Sequence, residues 1–213
     1  MIITYLGKEF FKIQQGDLVV ACNPVSKDSK EKQTRFGSRI ALSTTNHPDF
    51  NGFENVTHGD TTPLEISGPG DYEVGGIFVK GVMTTAELSG PAAGGASKTY
   101  INTIYSLSIE GITLCFLGPI TSEKLSADVL DSIEAPDIVF VPIGGAGTIS
   151  AAGAYKLALS LNAKVIIPMD FDSAQLKTFL KEGGQDNVKP IEKLTIKAKE
   201  LAGREGEIVV LES

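Results

Sequence analysis

In the first half of the chain, apolar residues come in short alternating bursts broken by glycine, proline and polar residues. MIITYLG, EFFKIQQG and DLVVACNP read as strands divided by glycine, with Pro24 closing the third. Residues 26–37, SKDSKEKQTRFG, are charged and end in Gly37, which suits a surface loop or a short exposed helix. RIALSTT, PLEIS and GGIFVKGVMTT supply further strands, the last two joined through GPGDYEV. Residues 89–97, SGPAAGGAS, have the small, flexible composition of an exposed loop between strands.

The second half changes period. TIYSLSIEGITLCFLG reads as a hairpin turned at Glu110-Gly111. In SEKLSADVLDSI the spacing of Leu125, Val129 and Ile133 predicts a helix, with Ser122 as candidate N-cap. DIVFVPIGG is a continuous apolar strand, SAAGAYKLALSLN a helix, and VIIPMDF another strand. SAQLKTFLKEG is a helix closed by Gly183 at the C′ position, and IVVLE is a final strand. Antiparallel strands followed by β-α alternation imply both kinds of pairing, with helices covering apolar sheet faces. The same order allows two sheets packed together.

Composition fits one packed domain over residues 1–213: hydrophobic residues make up 42% and charged residues 21%. A net charge of −7 excludes the basic footprint that nucleic-acid binding needs. No apolar run approaches the roughly 20 residues that cross a bilayer. The start, MIITYLGKEFFKI, lacks the basic region of a signal peptide, so a cytoplasmic protein without a membrane partner is expected. Cys22 and Cys115 each sit in an apolar run with no partner at metal spacing, as buried thiols in a reducing compartment would.

Several segments, taken in order, resemble one family. MIITYLGKEFFKI is similar to an opening strand that normally carries Leu-Gly-His. GPGDYEVGGIFVKGV resembles a segment of the ascorbate-phosphate-lactonase-like, Zn-dependent hydrolase branch of the metallo-β-lactamase superfamily. SLSIEGITLCFLGP resembles a strand pair that normally ends in Gly-Asp. Residues 137–171 resemble the family stretch that ends in Ile-Pro-Met-His. The resemblance implies an α/β (α+β) fold, a four-layer αββα sandwich of two mixed sheets with flanking helices. Its active site would lie at one edge, where strand ends and loops meet.

Active members carry His-x-His-x-Asp-His, a third His, a Gly-Asp and a last His. Together these hold two metals about 3.5–4 Å apart that activate water. On that pattern His47 and Asp49 match, while Thr45 and Phe50 stand where the first His and the fourth ligand belong. The third His falls near Ala86, Pro119 replaces the bridging Asp, and Asp170 takes the place of the last His. Lys8 replaces the His of Leu-Gly-His, and Asn23 the Asp of a strand-end Asp-Pro. The resemblance therefore leaves His47, Asp49 and Asp170 as a vestigial catalytic set.

With 2 histidines in the chain, no His-rich dinuclear site can be built, and catalytic zinc takes three protein ligands. Carboxylates suit Mg²⁺ or Mn²⁺, bound weakly. No cofactor and no stoichiometric zinc are expected. Asp49 also suits a turn in which its side chain fastens the loop. His58, in VTHGDTT, reads as part of a surface turn. GGAGTIS offers Gly144, Gly145 and Thr148 as an anion-binding loop before a helix, against a packing turn capped by Thr148 or Ser150.

Two functions compete. One is a non-catalytic member that binds a small-molecule or protein ligand. The other is a hydrolase with a reduced single-metal or metal-free site, in which His47 acts as base beside Asp49 and Asp170. Assembly into homo-oligomers stays open.

Overall fold

A computed structural model describes residues 1–60, 62–89, 97–133, 135–144 and 147–213. The first sheet begins as a meander of β1 (Ile2–Tyr5), β2 (Phe11–Gln15) and β3 (Leu18–Cys22). It continues in parallel through β4 (Ile40–Leu42) and β5 (Leu64–Ile66). The second sheet opens with the antiparallel strands β6 (Gly70–Val74), β7 (Ile77–Ser89), β8 (Ser97–Ile109) and β9 (Ile112–Phe116). After α1 (Ala127–Ser132) come β10 (Ile138–Pro142), α2 (Ala151–Ser160), β11 (Val165–Met169) and α3 (Ser173–Glu182). β10 and β11 extend the second sheet parallel to β9. β12 (Leu194–Thr195) then returns to the first sheet beside β1, and β13 (Glu207–Ile208) pairs with β11. The architecture is the expected pair of mixed sheets.

Alternation along each strand sorts side chains between layers. Leu114 and Phe116 of β9 and Ile138 and Phe140 of β10 enter the core between the sheets, where they join Phe11 and Ile13 of β2. Cys115, Val139 and Val141 enter the opposite cluster, with Ala154, Leu157 and Ala158 of α2 and Phe179 of α3. The Phe11 ring lies 4.8 Å from Tyr5, 4.8 Å from Phe140 and 5.8 Å from Phe116, which makes it the hub of the inner core. The outer side of the first sheet presents Ala21 and Ala41 to Phe10, Val25 and Val56. Small strand residues leave little apolar area there, and a loop with one 3-10 turn (Phe53–Asn55) covers it. The α-helices therefore flank the second sheet.

The Glu110-Gly111 hairpin forms as expected, with both residues at positive φ (48° and 75°), the geometry of a type I′ turn. Four local expectations are corrected. The N-cap of α1 is Ser126, because the Ser122 hydroxyl donates to the Lys124 carbonyl (2.6 Å) in a turn of its own. Gly183 ends α3 in right-handed geometry, and the left-handed residue is Gly184 (φ 62°). GPGDYEV contains β6, which pairs with β7 through Gly75 and Gly76. IVVLE narrows to β13, followed by a bridge between Ile191 and Leu211. Residues 26–37 form a loop. Residues 90–96, most of the stretch expected to form a loop, lie outside the described residues. Among the described residues no helix is long and apolar enough to cross a membrane. Both thiols are free and buried, and burial pushes each up to about 12.

Phe140 is fully buried beside Phe11 and Phe116. Phe140→Ala should cost about 3–5 kcal/mol through lost transfer energy and a residual cavity. Urea unfolding measures this, and a loss below about 1 kcal/mol would mean the three-ring contact is not a packing centre.

Candidate functional site

Ligands in open α/β sheets gather beyond the carboxyl ends of parallel strands. Here those ends lead into Asn23, residues 43–50, Gly118-Pro119, Gly144 and Asp170, drawn from both sheets. A backbone clasp joins the two sheets at this edge. The Asp170 N–H donates to the Lys8 carbonyl (2.8 Å), and the Tyr5 hydroxyl donates to the same oxygen (2.7 Å). Lys8, Asn23 and Asp170 hold left-handed backbones, at φ 54°, 49° and 52°. Strained residues of this kind persist only where their surroundings over-determine them, and they concentrate at functional edges. Among the described residues, the other two non-glycine cases are Glu110 in the hairpin and Asn162 after α2.

The structure sets the sequence-predicted residues in two pairs. His47 Nδ1 accepts the Asp49 N–H (3.3 Å) and lies 3.6 Å from Asp49 Oδ2. Because Nδ1 accepts, the neutral ring carries its proton on Nε2. The other Asp49 oxygen accepts from the Ser29 hydroxyl at 2.5 Å, so this carboxylate fastens its turn to the 26–37 loop. Burial pushes the His47 pKa below its usual value; Asp49 opposes that shift and Lys8 adds to it. The imidazole also packs near Phe50 (5.9 Å) and perpendicular to Tyr100 (5.7 Å). Phe50 clusters with Ala86 and Leu88, so an apolar plug occupies two of the positions matched to ligands.

The second pair is Lys8 and Asp170, with Nζ 3.0 Å from Oδ2 and both side chains largely buried. Burial disfavours the ammonium, but Asp170, through its charge and hydrogen bond, and then Glu9 and Asp49 outweigh it and raise the Lys8 pKa. Lys8 thus acts electrostatically on both pairs, and among the described residues no hydrogen bond links one pair to the other.

Glu9 was not anticipated. It is wholly buried, accepts from Asn23 Nδ2 (3.1 Å) through Oε2, and leaves Oε1 without a partner among the described residues. Burial raises its pKa well above the usual carboxylate range. Asp170 and Asp49 add to that rise, while Lys8 and the Asn23 hydrogen bond oppose it. An acid set between Lys8 and the buried Phe10-Phe11 was the signal available in the sequence.

Asn102 was missed as well. Thr45 Oγ1 donates to its Oδ1 (3.2 Å), and its Nδ2 donates to Thr84 Oγ1 and the Leu117 carbonyl, both at 2.9 Å. Asn23 ties into the same edge by donating to Thr44 Oγ1 (2.9 Å) and accepting the Thr44 N–H (2.8 Å). At Gly118 (φ 66°), a Cβ would fall 2.4 Å from Asn102 Oδ1, so only glycine admits this network.

These donors do not suit a zinc pair. Among the described residues no group of three or more His, Cys, Asp or Glu side chains could hold a metal ion. Thr45 and Asn23 are engaged in neutral hydrogen bonds, and Asp170 faces an ammonium.

In the Gly-rich loop, the Gly144 carbonyl (φ 140°) accepts from Gln175 Nε2, and Thr148 is half-buried. Gly145 lies outside the described residues. Ser150 caps α2 by accepting the Gly153 N–H (3.0 Å) and donates to Glu123 Oε1 (2.6 Å). The chain's own carboxylate thus sits at this helix start, where a Cβ on Gly153 would collide with it. His58 is exposed in a turn with Gly59 (φ 57°). Beside the Lys8–Asp170 pair opens a cleft of about 560 Å³, lined among others by Tyr5, Glu31, Phe171 and Leu176.

Comparison with known proteins matches a model of the beta-lactamase superfamily domain to residues 2–170. Among solved structures, the chain is similar to a metallo-β-lactamase-superfamily protein of Thermotoga maritima named for an expected Zn-dependent hydrolase activity. The two share 26% identity with a TM-score of 0.77, over 99% of this chain and 98% of that one. A protein of Parabacteroides distasonis, named for an expected metal-dependent hydrolase activity, shares 16% identity (TM-score 0.64, 98% and 91% covered). Igni18, a metallo hydrolase of Ignicoccus hospitalis, shares 17% (TM-score 0.58, 92% and 99% covered). Likeness at these two lower identities concerns the fold alone. No curated protein matches.

Two pH dependences follow from the buried groups. The depressed His47 pKa means the unfolded chain binds more protons just below 6.5, so stability should fall as pH drops through 6.5 towards the folded value. His47→Gln should flatten that limb of a thermal-unfolding pH profile; an unchanged limb would show that His47 is not its source. Glu9 runs the other way: its contribution is intact below 4.5 and lost as pH rises through its raised folded pKa. Glu9→Gln should therefore match the parent near pH 4 and exceed it in stability at pH 7.5. A variant less stable at pH 7.5 than at pH 4, relative to the parent, would contradict this.

Proposed function

The chain belongs to the β-lactamase superfamily, with the metallo-β-lactamase fold, and we propose that it is a non-catalytic member that binds a ligand at the strand-end edge without a metal. The observation that carries this reading is the Asn23–Thr44 and Thr45–Asn102 network. Side chains at metal-site positions are engaged in neutral hydrogen bonds, and a separate cleft of ligand size opens beside Lys8 and Asp170. Within the superfamily, we assign the chain to the ascorbate-phosphate-lactonase-like, Zn-dependent hydrolase branch, on the strength of GPGDYEVGGIFVKGV. The occupant would be a small molecule or a protein segment that inserts side chains into the cleft.

A hydrolase built on His47, Asp49 and Asp170 is the competing reading, favoured by the neutral imidazole of His47. Two features weigh against it. Asp49 presents its N–H, not its carboxylate, to Nδ1, so it does not hold an Nδ1 proton as a catalytic triad would. Asp170 is paired with Lys8 and makes no hydrogen bond to His47 among the described residues. A lone general base supplies only about 10²–10⁴-fold.

Purified protein should contain no stoichiometric zinc by elemental analysis. It should show no lactonase or phosphodiesterase turnover, with or without added Zn²⁺ or Mn²⁺. One zinc per chain that disappears in His47→Ala would overturn the reading, and so would metal-stimulated hydrolysis abolished by Asp49→Ala.

A further inference from the structure

For much of its length β7 is paired on one side only. Its register with β8 runs unbroken from Val79 to Ser89, whereas β6 covers the opposite edge only from Ile77 to Gly81. Beyond Gly81 no strand among the described residues takes over, because the chain ahead of Gly70 turns away through Gly68-Pro69 to β5 in the other sheet. The uncovered edge ends at Glu87, where Gly147 packs so close that a Cβ on it would lie 2.0 Å from the Glu87 carbonyl oxygen. Between those two stops, residues 82–86 make no backbone hydrogen bond on the outer side among the described residues.

Such an edge is a template for strand pairing, and sheets ordinarily blunt one with lysine, proline or a bulge. The sequence VMTTA over residues 82–86 carries none of the three. It also presents apolar surface to water. Met83 is 59% exposed, and Ile101, the β8 partner of Thr85 on the same face, is 61% exposed. The edge forms one wall of a groove of about 290 Å³. Met83, Thr84 and Thr85 line it consecutively, so the strand's edge borders the space and not one face alone. Across the groove stand Leu125 and Val129, both packed against the outer core, and Lys124. Lys124 is the single charged residue among the described lining, is exposed, and has no ion pair among the described residues.

We propose that this groove receives an extended peptide segment of a partner protein, added to β7 as a strand, with an apolar side chain against Leu125 and Val129 and a carboxylate at Lys124. In recognition of this kind, main-chain hydrogen bonds to the open edge give affinity, and pockets for alternate side chains give specificity. The stretch between Gly81 and Glu87 takes a partner strand of about five residues, which spans roughly 17 Å. Lys124 sets the sign of charge that the partner must carry. A second copy of this chain pairing through its own VMTTA edge would bring no carboxylate to Lys124 from that stretch, which favours a different chain. The proposal does not depend on what binds beside Lys8 and Asp170.

The test is selection on the whole chain from a phage-displayed library of random heptapeptides, followed by fluorescence anisotropy with a selected peptide made synthetically. Selected peptides should alternate β-branched or other apolar residues with polar ones and carry an acidic residue. Lys124→Glu should weaken binding by about tenfold or more. Ser126→Trp, at an exposed position on the groove wall, should abolish it by filling the space. N-methylation of alternate peptide amides should abolish binding in the frame whose N–H groups face β7 and spare it in the other. Bound peptide should also slow amide exchange at residues 82–86, read by hydrogen-exchange mass spectrometry. An unchanged Tm shows that each variant folds; if Ser126→Trp does not, Lys124→Glu and the exchange data decide. A library that yields no binder, binders that tolerate N-methylation in both frames, or binding indifferent to Lys124→Glu overturns the proposal. So does a parent protein that is dimeric, with residues 82–86 protected until dilution separates it, which would assign the edge to a second copy.

Discussion

Neither sheet can bury its inward face without the other, and the position of every strand end follows from that one contact. Phe11 meets Phe116 and Phe140 across the interface, so β2 in the first sheet is fixed over β9 and β10 in the second. Tyr105 of β8 adds a polar tie. Its buried hydroxyl lies within hydrogen-bond distance of the carbonyls of Ser43 (3.1 Å) and Gly68 (3.2 Å), at the ends of β4 and β5, and shares its one proton between them. With the sheets pinned face to face, the carboxyl ends of β3 and β4 come to lie at the same edge as those of β9, β10 and β11. Apolar packing ends there, and whatever side chains the sequence places at that edge must be satisfied by hydrogen bonds or by charge.

The edge uses both means. Around Asn23, Thr44, Thr45 and Asn102, neutral amides and hydroxyls satisfy one another in a compact network, which suits a dry location where an unmatched polar atom costs about 1–3 kcal/mol. Around Lys8 and Asp170 the solution is an ion pair, and burial raises the pKa of the adjoining Glu9. The two regions meet at Asn23, which donates to Glu9 and to Thr44. Strained backbone at Lys8, Asn23 and Asp170 is tolerated because the clasp and the network fix those residues from several sides.

Much of the fold was legible because it rests on period. The short apolar runs ITLCF and IVFVP mark strands covered on both faces, and the apolar spacing in α2 and α3 marks those helices. The turn at Glu110-Gly111 needs positive φ at both residues, and Glu-Gly between apolar runs announces it. Two-residue strands such as β12 carry no period to read, and they form because β1 offers an open edge. At the site, the positions of His47, Asp49 and Asp170 could be named from the resemblance, but their partners could not. Ser29, Glu9 and Asn102 reach the edge by tertiary packing, from a charged loop, a turn and the middle of an apolar strand. At the start of α2 the cap is Ser150, one of the two cap residues the sequence offered, and it donates to Glu123, some distance back in sequence.

The replacements at the edge are mutually dependent, which bears on how far the site lies from a metal-binding one. Thr45 lies in a bridge to Asn102, so a larger side chain there would press against β8, and loss of its hydroxyl would remove a donor to Asn102 Oδ1. Asn102 in turn needs Gly118, where any side chain would collide with it, and Thr84, to which it donates. Phe50 belongs to an apolar cluster with Ala86 and Leu88, so a histidine at either Phe50 or Ala86 would bury an imidazole against hydrocarbon. Lys8 would still face Asp170 with a full positive charge and repel an incoming cation. A single substitution toward the metal-binding pattern therefore breaks satisfied contacts before it completes any ligand set. The edge is coherent as it stands, and its residues need to change together or not at all.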